Sequence, residues 1–301
     1  MTDATIVITT KDRRADLRTA LRSATGQRGA DVEVLVIDDG SVDGTSELVR
    51  SEFPAVALHR NEQPKGIIGA RNQAARLASG RVLVTIDDDA ELSDARTVAE
   101  LLEAFEHPRV GIVAMPHIHT RMDPGQLRDR APDDDHVWCT WTFIGTAHAL
   151  RRDAFLGAGG YREELITRVE EPDLCLRLLD RGLVCRLGVT PPILHHEHPG
   201  RSGDAINRMT ARNELLEAWR NVPARALAPR LAGVVAHNVV LGARTRRPAA
   251  FARGQAGGMR AIARDRHREP VASATWRATR LLMRERTVRL DRLEPLLGPV
   301  A

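Results

Sequence analysis

Aromatic residues are scarce in this 301-residue chain, at 3% with a single Tyr, and there are only three cysteines. Cys139, Cys175 and Cys185 have neither an even count nor metal-ligand spacing, which excludes a disulfide framework or zinc cluster and fits a reducing cytoplasm. The N-terminus lacks a basic leader, and its first apolar run, Thr5 to Thr9, is strand-sized, so no signal peptide is expected. The longest apolar stretch, Leu231 to Ala243, is thirteen residues interrupted by His237 and Asn238. That is short of the ~18 needed to cross a bilayer, and no transmembrane helix is expected. No internal repeat is visible. The absence of GxGxxG after the first strand disfavours a nucleotide-dependent dehydrogenase.

What is present is globular: 43% apolar and 28% charged residues in a length that suits one large domain or two sharing a cleft. The net charge of +4 conceals two halves of opposite sign. Residues 200–301 hold 20 Arg against 8 Asp and Glu, net +12, which leaves −8 for residues 1–199. A basic tail on an acidic body fits an anionic membrane, nucleic acid, or simply a solvated helical face.

Through residue 115, short β-branched runs alternate with helical patterns, the signature of a mostly parallel sheet flanked by helices. Strands are expected at Ala4–Thr9, Val32–Ile37, Ala55–His59, Val82–Ile86 and Val110–Met115. Helical spacing joins Leu17, Leu21 and Ala24, then Ala70, Ala74 and Leu77, then Val98, Leu101, Leu102 and Phe105. Residues 116–137 lack periodicity and predict a long loop or lid, in which Asp133, Asp134 and Asp135 are solvated. Trp138, Trp141 and Phe143 are expected in the core rather than stacked on a ligand. Pro172 predicts the first turn of a helix whose N-cap is Glu171. After the Pro191-Pro192 pair the chain becomes a series of Arg-rich helices, the first packing through Met209, Leu216 and Trp219.

Two acidic clusters end strands. Asp87-Asp88-Asp89 follows VLVTI, and Asp38-Asp39-Gly40-Ser41 follows VEVLVI. In open α/β sheets ligands bind beyond the carboxyl ends of strands. Hard oxygen ligands there suit Mg²⁺ or Mn²⁺ bridging to phosphate, and carboxylates on a neighbouring strand suit a base or ribose. With Lys65-Gly66 and Arg71-Asn72 between them, they describe a nucleoside-diphosphate site.

These motifs stand in an order that resembles the family 2 glycosyltransferases over roughly residues 4 to 222. The opening strand ends Thr9-Thr10-Lys11-Asp12-Arg13; Asp38-Asp39, Gly69-Ala70-Arg71-Asn72, Asp87-Asp88-Asp89, Gly159-Gly160-Tyr161 and Glu170-Glu171-Pro172-Asp173 follow. The resemblance implies a GT-A fold, an α/β Rossmann-like, mixed and mostly parallel sheet. It divides the chain into a nucleotide-sugar-binding half (1–115), an acceptor-binding and catalytic half (116–222) and a basic helical extension (223–301). It implies a nucleotide-sugar donor held by Thr10, Asp12, Arg13, Asp38, Asp39, Arg71, Asp87 and Asp88, with Arg201 as a phosphate clamp. A divalent Mn²⁺ or Mg²⁺ would sit on Asp87 and Asp89, completed by His196 or, second, His195.

The same resemblance makes Glu171, with Glu170, the general base of an inverting, hexosyltransferase-type reaction, in a position where the family usually has Asp. The donor is expected to be a UDP-, dTDP- or GDP-sugar and the acceptor a sugar, lipid-linked or small-molecule hydroxyl. The rivals are a sugar nucleotidyltransferase, for which the Gly-rich N-terminal phosphate loop is missing, and a non-catalytic binding protein that keeps the fold. The basic helices 223–301 suit peripheral contact with the inner face of a membrane, or a homodimer, more than nucleic acid.

Overall fold

The computed structural model describes residues 2–197 and 203–300. The chain runs β1 (Ala4–Thr10), α1 (Arg14–Thr25), β2 (Val32–Asp38), α2 (Thr45–Glu52), β3 (Ala57–Arg60), α3 (Gly66–Leu77) and β4 (Val82–Asp87). There follow β5 (Ala90–Leu92), α4 (Thr97–Glu103), β6 (Val110–Ala114), β7 (His117–His119), β8 (Leu127–Arg128), β9 (Trp138–Thr140), β10 (Ala147–Arg151), α5 (Arg152–Gly157) and α6 (Glu170–Leu179). The remainder is β11 (Val184–Leu187), β12 (Ile193–His195), α7 (Gly203–Asn221), α8 (Ala224–Arg244), α9 (Pro248–Arg264), α10 (Ser273–Glu285), β13 (Thr287–Arg289) and α11 (Leu290–Leu293).

All five expected strands form, with ends shifted by a residue or two. They belong to a nine-stranded mixed sheet, β13-β9-β11-β6-β10-β4-β1-β2-β3. The stretch β4-β1-β2-β3 is parallel, and β10 runs antiparallel to both β4 and β6. Side chains alternate across β1: Ile6 and Ile8 pack with Leu17, Leu21 and Leu101 on one face, while Val7 packs with Ile68 and Ala74 on the other. Helices cover both faces, so Ile6, Val7 and Ile8 of β1 are consecutive apolar residues rather than alternating with polar ones. Leu77, expected on the buried face of α3, is 49% exposed at its last turn.

Residues 116–137 are not all loop. β7 and β8 come from this segment and join β5 and β12 in a second sheet, ordered β5-β12-β7-β8. The extension after residue 222, expected as helices alone, also returns β13 to the main sheet, where Val288 pairs with Cys139. The first 115 residues are tied to the segment that follows by Asn72, whose Nδ2 donates to the Tyr161 carbonyl and whose Oδ1 accepts from the Tyr161 N–H, both at 2.8 Å. Gly160 beside it has φ +71°, and a Cβ there would lie 2.7 Å from Asn72 Oδ1, so only glycine fits. Asp173, fully buried, accepts from Arg162 (2.6 Å), Arg177 (2.9 Å) and Asn221 (2.7 Å) and pins α6 to α7.

Among the described residues, α8 is the one helix long and apolar enough to cross a membrane. Its 21 residues include Ala224, Ala226, Leu227, Ala228 and Pro229, which precede the apolar run read from sequence. One face is packed: Asn238 Nδ2 donates to Glu214 Oε2 at 2.9 Å, and Gly242 lies against Phe251. The other face leaves Val235, Val239 and Val240 exposed.

Candidate functional site

Parallel register brings three strand ends to one level, Thr10 beside Asp38 and Thr9 beside Asp87. They meet where the sheet passes from β1 to β2 on one side and to β4 on the other, the switch point at which α/β sheets open a crevice. A cleft of about 240 Å³ lies there, lined by Thr10, Lys11, Arg13, Asp39, Gly66 and Asp87 to Asp89.

Asp38 and Asp39 differ in what they do. Asp38 is fully buried behind the cleft, accepting from the Ser41 N–H (2.8 Å), Arg60 (3.2 Å) and the Ser46 hydroxyl. Those donors outweigh its burial and hold its carboxyl below the usual range. It therefore shapes the turn and does not line the donor cleft as expected. Asp39 does line it, with oxygens on the N–H groups of Lys65 and Gly66 at 2.9 Å, at the start of α3. Asp12, at φ +53°, also braces a loop: it accepts from the Val42 N–H at 2.7 Å, while its own N–H donates to Ser41 Oγ at 2.9 Å.

After Asp89 the chain enters β5, which pairs antiparallel with β12 so that Ala90 faces His195. The His195 Nε2 is 3.3 Å from Asp89 Oδ1, and ligand atoms of Asp87, Asp89 and His195 lie within 4.8 Å of one another. His196, the expected first choice, is turned away onto Glu91 (3.1 Å) and Thr120 (3.1 Å), because neighbouring residues on a strand point to opposite faces. Arg13 bonds Asp89 at 2.8 Å. Burial acts to raise Asp89, but His195 and Arg13 outweigh it and hold the carboxyl well below the usual range. Burial likewise acts against protonating His195, and contact with Asp89 raises it nonetheless. Burial pushes Asp88 up to about 7.

His119 was not legible in the sequence. β7 runs parallel to β12 and sets His119 beside His195, Nδ1 to Nδ1 at 3.1 Å, with Glu197 Oε1 2.5 Å from His119. His119, His195 and Glu197 form a second set able to hold a metal. The alternation His117-Ile118-His119 was the available signal, but it spans only three residues.

Helix α6 begins at Glu170, so Glu171 stands in its first turn, and Val169 (φ +73°) takes the N-cap position expected of Glu171. Ile166, Arg168 and Val169 all have positive φ, a strained approach. Asn213 of α7, fully buried, holds it by donating Nδ2 to the carbonyls of Leu165 (2.7 Å), Thr167 (2.8 Å) and Arg168 (2.9 Å). The Arg71 guanidinium donates to Asp87 Oδ1 at 2.7 Å and to the Gly145 carbonyl at 2.9 Å. A Cβ on Gly145 would lie 2.9 Å from Arg71 Nη1 and 3.1 Å from Glu171 Oε1, so both groups meet there. Burial, and then the charge of Glu170, raise Glu171 above the ordinary carboxyl value; Glu170 is raised by burial. One Glu170 oxygen is buried with no hydrogen-bond partner.

Glu171 opens on a chamber of about 370 Å³ whose walls include Trp141, Phe143, Trp276, Glu214 and Arg230. Phe143 is buried in the core and Trp138 and Trp141 pack against it, as expected, and Trp141 and Phe143 also line this cavity. Asp133 to Asp135 remain at the surface, and Leu216 is buried as expected. Arg201, the expected phosphate clamp, lies outside the described residues.

Residues 5–160 match the model of Glycosyl transferase family 2, more than half of the chain, and the protein belongs to that family. It is 29% identical over 195 residues to the uncharacterized protein MT1568 of Mycobacterium tuberculosis, covering 57% of this chain and 60% of that one. It is 26% identical over 228 residues to the O-antigen biosynthesis protein RfbC of Myxococcus xanthus, covering 67% and 18%. The chain thus spans less than two thirds of either relative. Its fold is similar to that of the mannosyltransferase PcManGT from Pyrobaculum calidifontis, solved with GDP-Man and Mn²⁺, at TM-score 0.59 and 20% identity over 88% of this chain and 78% of that one. The mixed sheet with flanking helices is accordingly GT-A-like.

The Asn213 clamp is testable. Asn213→Ala leaves three carbonyls of a strained loop without their donor and is expected to cost about 2–3 kcal/mol. Amide exchange should accelerate across residues 165–171 while β1 and β4 stay protected; unchanged exchange there would remove the clamp role.

Proposed function

We propose that this protein transfers a sugar from a nucleoside-diphosphate sugar to an acceptor hydroxyl, with inversion at the anomeric carbon. The observation that carries this reading is the junction at Gly145, where one buried guanidinium touches a donor-cleft carboxylate, Asp87, and lies against Glu171 at the mouth of a second chamber. The donor cleft and the base are thereby set next to each other. Asp39 and Thr10 hold the nucleoside end of the donor, and Arg13 and Arg71 face its phosphates. The acceptor hydroxyl gives its proton to the Glu171 carboxylate, its oxygen bonds to the anomeric carbon, and the bond from that carbon to the diphosphate oxygen breaks. The electron pair leaves with the nucleoside diphosphate. A single displacement of this kind inverts the centre.

Two carboxylates and an imidazole, Asp87, Asp89 and His195, fit Mn²⁺ or Mg²⁺ by donor chemistry. When bound, the ion neutralises charge on the departing diphosphate. The GDP-Man and Mn²⁺ bound by PcManGT, a fold neighbour, support a similar donor and ion here. His119 and Glu197 act on this set by orienting His195. We assign the extension 223–301 to peripheral contact with an anionic membrane. The exposed Val235, Val239 and Val240 of α8 are flanked along the chain by Arg225, Arg230, Arg244, Arg246 and Arg247, a pattern suited to lying in the interface.

Three outcomes are expected. Glu171→Gln abolishes transfer while retaining donor binding; in the unmodified protein, transfer falls as pH drops through a value raised above that of an ordinary glutamate, because only the ionised carboxylate accepts the proton. Full activity in the Gln variant defeats the assignment. Asp89→Asn weakens the Mn²⁺-dependent part of UDP binding by about tenfold or more in calorimetric titration, and an unchanged titration argues against the metal set. The protein floats with phosphatidylglycerol vesicles and not with phosphatidylcholine ones, and Val239→Asp reduces flotation. Failure to float, with a dimer in sedimentation, assigns the α8 face to a second copy.

A further inference from the structure

The chamber beside Glu171 does not end at the body of the protein. It continues through Arg230, Trp276 and Met283, residues shared with an outer groove of about 510 Å³ between α8 and α10. The outer groove adds Arg280 and Arg284. These two and Trp276 and Met283 fall on one face of α10, at spacings of three, four and seven residues. Arg280 is exposed, and the Nε of Arg230 is buried without a hydrogen-bond partner. Arg284 shares Glu285 with Arg292. No carboxylate is among the groove's lining residues.

The acids sit in the inner chamber. Glu214 is engaged by Asn238, and burial raises Glu217 up to about 7, so its negative charge is weakened near neutrality. The outer groove therefore offers guanidinium groups on an apolar floor, one of them with an unused buried N–H.

We propose that the groove binds a phosphate ester carried by the acceptor, set back from the hydroxyl that reaches Glu171. Guanidinium pairs with phosphate oxygens in bidentate fashion, and Trp276 and Met283 contact the apolar atoms beside the phosphate. This deepens the transferase reading and rests on it for the role of the hydroxyl. The binding of the phosphate itself does not depend on turnover.

The test compares matched probes on the full-length protein: hexose 1-phosphates in solution, methyl glycosides of the same sugars, and decyl diphosphate-linked sugars in phosphatidylcholine vesicles. Calorimetry should show the phosphorylated probes binding about tenfold or more tightly than the neutral ones. The double variant R280E/R284E should bring that ratio to about one, and R280K/R284K should restore part of it. Both substitutions lie on an exposed helix face, and circular dichroism checks the fold. A preference confined to the vesicle probe assigns the phosphate to a lipid-borne acceptor; one shared by hexose 1-phosphates assigns it to a soluble acceptor. Equal binding of neutral and phosphorylated probes, or a preference that survives R280E/R284E, overturns the proposal. Donor hydrolysis with Mn²⁺ is measured alongside. Its absence with UDP-, dTDP- and GDP-sugars defeats the transferase reading, whatever the groove binds.

Discussion

One buried guanidinium lies between the cleft at the strand ends and the chamber beside Glu171. Arg71 is only 5% exposed, and a cation so placed is tolerated only when it is paired and hydrogen-bonded. Asp87 and the Gly145 carbonyl supply those bonds, and the charges of Glu170 and Glu171 add to its stabilisation. The dependence is mutual. Without Arg71, Asp87 would lose its ion pair, and Glu170 and Glu171 would lose one of the cations that offset their charge. The close approach at Gly145 leaves no room for a side chain, so the geometry there and its electrostatics are a single constraint.

Around that point the fold supplies rigidity from different directions. Asn72, one residue on, ties α3 to the Gly160-Tyr161 turn. Asp173 in α6 collects Arg162, Arg177 and Asn221, and Asn213 in α7 holds the strained loop that delivers Glu170 and Glu171. Strain of this kind persists when the surroundings over-determine the backbone. Three carbonyls held by one buried amide meet that condition.

What could be read from the sequence was whatever depends on position along a strand. Asp39 and Asp87 to Asp89 were legible because a buried β-run ended immediately before them, and strand ends in such a sheet face the ligand. Asp38 shared that signal and still turned inward, since its oxygens found Ser41, Ser46 and Arg60, contacts that composition does not reveal. The choice between His195 and His196 depends on the pairing of β12 with β5, a tertiary fact. His119 depends on a second pairing with a three-residue strand, too short for periodicity to register. The start of α6 was placed late because Pro172 suggested the first turn, whereas the left-handed Val169 lets the helix begin two residues earlier. Trp141 and Phe143 are apolar, which fits a core; only the packing of α10 across them shows that they line a chamber as well.

The charge asymmetry of the chain acquires a local meaning in the cleft. Among the described residues, Arg13 pairs with Asp88 and Asp89, and Arg71 pairs with Asp87 while being shared with the glutamates. A nucleoside diphosphate brings further negative charge to a place that is acidic before it arrives. Burial lowers that barrier in part, holding Asp88 near 7 so that it carries less than a full charge at neutrality. A divalent cation on Asp87, Asp89 and a neutral His195 would lower it further. The arginines of the tail are spread evenly, three on each of α7, α8, α9 and α10, and those of α8 and α10 include Arg230, Arg280 and Arg284 of the outer groove.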